Sequence, residues 1–79
     1  MMINMVLWTA DWCVPCKVIK PYVINNFPNI QIMDVDDYID DRPKGLKTVP
    51  TLETESGLIT GGSPIIKYLK AYKFQEEYQ

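Results

Sequence analysis

Trp12-Cys13-Val14-Pro15-Cys16-Lys17 contains both cysteines of a 79-residue chain, and its reading decides the fold. Two thiols separated by two residues can close a small disulfide ring and reopen it. The pair follows a short apolar run, Ile3 to Trp8, and precedes a helical pattern. At such a strand-to-helix passage it reads as a redox site rather than a structural staple. Two cysteines are too few for a disulfide-stapled mini-protein. With no histidine in the chain, they also cannot complete a four-ligand zinc site unless carboxylates or a second chain contribute. The remaining alternative is a pair of inert reduced thiols, since cysteine often serves as a small buried hydrophobe.

Length and composition fit this reading. A chain of 79 residues allows a single domain, residues 1–79, with one modest core. The hydrophobic fraction of 47% and charged fraction of 23% are ordinary for a globular protein and argue against disorder. A net charge of −2 supplies no basic field for nucleic acid or acidic lipid. No apolar run approaches the roughly 20 residues of a membrane span. The start of the chain lacks a basic n-region, so the expected location is the reducing cytoplasm; the expected state is a monomer.

Outward from the motif, Ile3 to Trp8 reads as a strand buried on both faces. Val14, Ile19, Val23, Ile24 and Phe27 suit one face of a helix, kinked at Pro21 and ended by Asn25, Asn26 and Pro28. Ile30 to Val35 reads as a second strand, with Ile30, Ile32 and Asp34 on one side and Gln31, Met33 and Val35 on the other. The intervening helix makes this pair parallel and right-handed. Asp36 to Leu46 predicts a short, imperfect helix ending near Gly45. Thr51–Thr54 and Leu58–Thr60 flank Glu55-Ser56-Gly57 as a hairpin. Ser63 suits an N-cap and Pro64 the first turn of a last helix, whose apolar stripe is Ile65, Ile66, Leu69 and Tyr72. Gln75 to Gln79 reads as a frayed tail. The fold class is α/β, a four-stranded mixed sheet in the order β-α-β-α-β-β-α with helices on both faces.

The chemistry comes from where the helix begins. A thiol reacts as thiolate, and a free cysteine with a pKa of about 8.5 is mostly protonated at neutral pH. A helix starting at Cys13 directs free N–H groups and its positive dipole end toward that sulfur. Cys16, one turn on, is within disulfide reach and more buried. Cys13 is therefore the nucleophile, and Cys16 resolves the mixed disulfide that forms. Trp12 would cover the site, Pro15 would restrict the backbone between the thiols, and Lys17 either adds positive charge or points to solvent. Asp34, Asp36, Asp37, Asp40 and Asp41 lack the spacing of a calcium loop and read as a solvated face and helix cap. Tyr68, Tyr72, Phe74 and Tyr78 read as core and core-edge packing.

Trp12 to Pro21 closely resembles the active-site helix of thioredoxins, including the proline five residues past the second cysteine. Gly45 to Thr51 resembles the loop that carries a cis-proline in thioredoxin folds. Gly61-Gly62-Ser63 and the short chain look more like glutaredoxins, and phage redoxins have similarly compact forms. The resemblance implies a minimal thioredoxin fold and thiol–disulfide oxidoreductase activity without a bound cofactor. It implies a cis Val49–Pro50 bond, with Thr48, Val49, Pro50, Gly61 and Gly62 joining Trp12, Val14 and Pro15 at the substrate surface. The implied partners are protein disulfides, with ribonucleotide reductase as a target, and thioredoxin reductase or glutathione as electron source.

Two departures from the resemblance stand out. Thioredoxins usually carry a buried aspartate six residues before the nucleophile, with a lysine on the next strand; Leu7 and Ile32 occupy those places here. Proton handling at Cys16 then falls to water, to Asp11 or to the substrate. Glutaredoxins generally have a basic residue before the motif, where this chain has Asp11-Trp12, which argues against glutathione as main reductant. A glutathione-dependent glutaredoxin and a non-redox binding module on the same fold remain the alternatives.

Overall fold

The strand before the cysteines is β1 (Val6–Thr9), and helix α1 (Val14–Asn26) follows it. The chain continues through β2 (Gln31–Asp34), a single 3₁₀ turn at Ile39–Asp41, the hairpin β3 (Thr51–Thr54) and β4 (Gly57–Thr60), and helix α2 (Gly62–Glu77). These elements come from a computed structural model that describes residues 4–77. Ile3 of the expected first strand, and Tyr78 and Gln79 of the expected frayed tail, lie outside the described residues. The sheet order is β2-β1-β3-β4, with β1 parallel to β2 and the other neighbours antiparallel. This is the α/β arrangement of a minimal thioredoxin-like fold.

Period-two alternation in the strands divides the core into two layers. Leu7, Ile30, Ile32 and Leu52 face one way and meet Ile19, Val23 and Phe27 from the first helical segment and Ile65 and Leu69 from α2. Leu7, Val23, Leu52, Ile65 and Leu69 have no exposed surface, and each such side chain contributes roughly 1.5–3 kcal/mol of transfer free energy. Val6, Trp8, Met33 and Val35 face the other way, with Ala10, Cys13, Cys16, Leu46 and Val49. The two sides expected for Ile30–Val35 are the two sides found.

Both helices lie on the first face, so the expected helical cover of the second face is corrected. Segment 36–50 covers that face, and its regular structure is one 3₁₀ turn. Local side-chain bonds supplant the expected helix over Asp36–Leu46. The Asp34 carboxylate accepts the Asp36 N–H at 2.7 Å, and the Asp34 carbonyl accepts from Asp37 and Tyr38. Such bonds give the backbone an alternative to helical pairing. Arg42 closes the segment by donating Nε–H to the Val35 carbonyl at 2.9 Å.

Other expectations shift by a residue or a face. α1 runs unbroken through Pro21, but Val14 and Ile24 leave the expected apolar face and are exposed. Each lies about 140° around the helix from Ile19 at 100° per residue. Gly57, at φ +138°, starts β4 and leaves Glu55-Ser56 as the turn. α2 begins one residue before the expected Ser63 cap. Gly61, at φ +100°, precedes it and offers its carbonyl to the Ile65 N–H, so Ser63 and Pro64 lie inside the first turn. The helix also continues through Glu77, past the expected fraying point. Tyr72 stacks with Tyr68 and meets Phe27, whereas Phe74 is 61% exposed and is not core. Among the described residues, no helix is long and apolar enough to cross a membrane.

Candidate active site

Cys13 sits at the N-cap of α1 and Cys16 in its first turn, joined as a disulfide with Cα atoms 5.2 Å apart. The Cys13 backbone is extended (φ −93°, ψ 108°), and its carbonyl accepts the Lys17 N–H at 3.3 Å. Its sulfur accepts the Cys16 N–H at 3.2 Å, as a Ser or Asp cap oxygen would. Pro15, in the first turn, has no N–H to offer, and that turn has no acidic residue to oppose negative charge on the sulfur. Both sulfurs are sheltered, Cys13 at 4% exposure and Cys16 at 1%. Behind them lie Trp8, Ala10 and Val35, with the Trp8 indole N–H bonded to Glu53 at 2.9 Å.

The Thr48-Val49-Pro50 loop meets the cysteines from the other side. Val49–Pro50 is cis, as the resemblance implied. The Val49 carbonyl lies 3.6 Å from Cys13 Sγ, where it can accept a hydrogen bond once that sulfur carries a proton. Thr51 fixes the loop through its hydroxyl, which donates to the Thr48 carbonyl at 2.7 Å. The Pro50 carbonyl accepts the Gly61 N–H at 2.9 Å, so the same loop anchors the start of α2.

The remaining residues expected at the substrate surface divide between two grooves beside the cysteines. Trp12, Thr48 and Val49 line a cleft of about 160 Å³ with Val35, Asp36, Arg42, Leu46 and Lys47. Val14, Pro15 and Gly62 line a second, apolar groove on the α1–α2 side. A Cβ on Gly62 would lie 3.2 Å from Ile19 Cγ2, so the bare backbone there lets α2 approach α1 closely. Trp12 is 68% exposed, and its indole N–H donates to Asp36 at 2.9 Å. Arg42 lies 3.7 Å from the other Asp36 oxygen.

Asp36, Arg42 and Trp8 were not among the expected site residues. Asp36 had read as one of five solvated aspartates, and only the folded loop brings it against Trp12. The alternation that gives Trp8 the parity of Val6 rather than Leu7 could have placed its ring on the cysteine face. Asp36 positions Trp12, which gives a test. Asp36→Ala should lower kcat/KM on a protein disulfide by about three- to tenfold with stability changed by less than about 1 kcal/mol, because the pair is exposed. Asp36→Asn, which keeps an acceptor oxygen, should restore most of the rate. Equal losses in both variants would exclude the indole bond as the cause.

Leu7 and Ile32 are direct partners across the parallel β1–β2 pair, on the helix-covered face. The two apolar departures from the thioredoxin pattern therefore touch the same spot of the core. Asp11 is exposed beside the motif. Among the described residues there is no cluster of three or more side chains able to hold a metal ion. The chain matches no family model and no curated protein. What the site offers chemically is a reversible two-electron dithiol–disulfide couple at a helix start, with a backbone carbonyl and an apolar surface beside it.

Proposed function

We propose that this protein is a thiol–disulfide oxidoreductase that reduces disulfides in partner proteins. The observation that carries the reading is the placement of Cys13 Sγ, which accepts the Cys16 N–H at 3.2 Å and lies 3.6 Å from the Val49 carbonyl. In the reduced protein, the Cys13 thiolate attacks one substrate sulfur and expels the other as a thiolate, which takes up a proton. The Cys16 thiolate then attacks Cys13 Sγ, closing the Cys13–Cys16 disulfide and releasing the second substrate thiol. Two electrons pass from protein to substrate, and an external dithiol or thiol donor returns them. The Val49 backbone supplies an edge along which an extended substrate segment can align.

Thioredoxin reductase is the proposed donor, because the Asp11 carboxylate would oppose the carboxylates of glutathione. Ribonucleotide reductase is the proposed target, on the resemblance alone. Turnover of the oxidised protein with NADPH and thioredoxin reductase, against glutathione and its reductase, tests the donor. Faster recharging by glutathione would reverse the assignment. Insulin disulfide reduction tests the activity itself, and a rate no greater than that of free dithiothreitol would reject it. With Leu7 and Ile32 apolar, protons reach Cys16 from water, substrate or Asp11. Asp11→Asn should slow reduction only a few-fold, whereas a loss above about a hundredfold in the rate would identify a general base.

A further inference from the structure

Charge is distributed unevenly over the two faces of the sheet. α1 carries Lys17 and Lys20 and no acid, and α2 carries Lys67, Lys70 and Lys73 with acids only at Glu76 and Glu77 in its last turn. The helical layer therefore holds five of the chain's eight basic residues. The opposite face is covered by segment 36–50, where exposed Asp36, Asp37, Asp40 and Asp41 are largely balanced by Arg42, Lys44 and Lys47. Among the described residues the ion pair is Arg42–Asp36, so Lys17, Lys20, Lys67 and Lys70 are not neutralised by a carboxylate there.

The apolar groove beside the cysteines lies within this cationic layer. Val14, Pro15 and Val18 form one wall and Gly62, Ser63 and Ile66 the other, with Ile19 at the floor. Val14 and Val18 are each 69% exposed, a large apolar surface to leave in water one helical turn apart. Lys17 follows Val14 by three residues, and Lys67 and Lys70 follow Ser63 and Ile66 by four, which puts the lysines next to the groove along each helix.

Resting on the oxidoreductase reading above, we propose that this α1–α2 groove docks the disulfide-bearing partner, and that the partner is an acidic segment with an apolar anchor residue. The anchor fills the groove between Val14, Val18 and Ile66, while its flanking carboxylates meet Lys17, Lys67 and Lys70. The excess of positive charge in the helical layer orients the encounter toward that side of the cysteines. A protein segment is favoured over a lipid surface because the groove is bounded by Val14 and Pro15, the two residues between the cysteines.

The test is single-turnover reduction by the full chain, reduced beforehand with dithiothreitol and desalted. Three probes are compared: a peptide with one internal disulfide flanked by glutamates and a leucine, its lysine counterpart, and hydroxyethyl disulfide. The acidic peptide should react about tenfold or more faster than the basic one at low salt. The difference should collapse toward 1 M salt, where the Debye length falls to about 3 Å. Lys67→Glu combined with Lys70→Glu should invert the preference, and Val18→Ser should slow the acidic peptide about three- to tenfold in rate. Neither variant should change the hydroxyethyl disulfide rate, which reports the dithiol chemistry alone.

Reduction of hydroxyethyl disulfide with equal rates for the two peptides overturns the docking proposal and leaves the redox reading standing. No reduction of any probe overturns the redox reading, and the docking proposal falls with it. Binding to phosphatidylserine vesicles that is lost in the lysine variants, with peptide rates indifferent to charge, would assign the face to lipid. A salt-sensitive dimer on sedimentation, with equally indifferent peptide rates, would assign it to a second copy. Either result overturns the proposal.

Discussion

Cys13→Ser should leave no disulfide reduction above background, while Cys16→Ser should still attack a substrate and then stop as a stable mixed disulfide. The asymmetry comes from position. Cys13 Sγ occupies the N-cap, receives the Cys16 N–H at 3.2 Å and borders the Val49 carbonyl, whereas Cys16 lies inside the first turn. A serine at the nucleophile position cannot form a disulfide at all. A serine at the resolving position removes only the second displacement. Mass spectrometry of each variant after exposure to an oxidised peptide reads the difference directly. Accumulation of the mixed disulfide on Cys13→Ser instead would reverse the two roles.

The second large effect concerns stability. Leu7 has no exposed surface and faces Ile32 across the β1–β2 pair, under both helices. Leu7→Asp places a carboxyl there with no cation to meet it, and an uncompensated buried charge costs on the order of 3–5 kcal/mol. A chain of this length has about 4–12 kcal/mol to lose, so the variant should forfeit a large share of its stability at neutral pH. The apolar surroundings disfavour the ionised form, so the introduced carboxyl holds its proton to higher pH in the folded state than in the unfolded one. The destabilisation should therefore be least below about pH 4, the unfolded carboxyl's range, and grow as pH rises. Adding Ile32→Lys should recover part of the loss through the pair's coupling. Urea midpoints of the four proteins in this cycle measure it. An unchanged midpoint for Leu7→Asp would mean that the site is not sealed from water.

Much of this architecture is legible in the residues. The strand–helix–strand order, the hairpin around Gly57 and the two sides of Ile30–Val35 all reflect period-two and 3.6-residue spacing, because those periods are imposed by local backbone geometry. The segment 36–50 is not legible in that way. Asp34, just before it, takes the Asp36 N–H on its side chain, and Pro43 lacks the N–H that a continuing helix would need, so no α-helix forms and the second face is closed by a loop. Val14, Val18 and Ile24 show the same limit from the other side. They are apolar, yet whether an apolar residue is buried depends on which stripe of the helix meets the sheet.

By itself, the sequence determined the cysteine pair and its place at a helix start. These are properties of neighbours in the chain, and short-range geometry suffices to state them. Only the tertiary structure decided what surrounds the pair. The Val49 carbonyl comes from 36 residues away, Asp36 reaches Trp12 across 24, and Gly61 joins the Pro50 loop to the start of α2. The gathering of five of the eight basic residues on one face of the sheet belongs to the same class. A net charge of −2 says nothing about it, because the gathering arises when both helices settle on one side of the sheet.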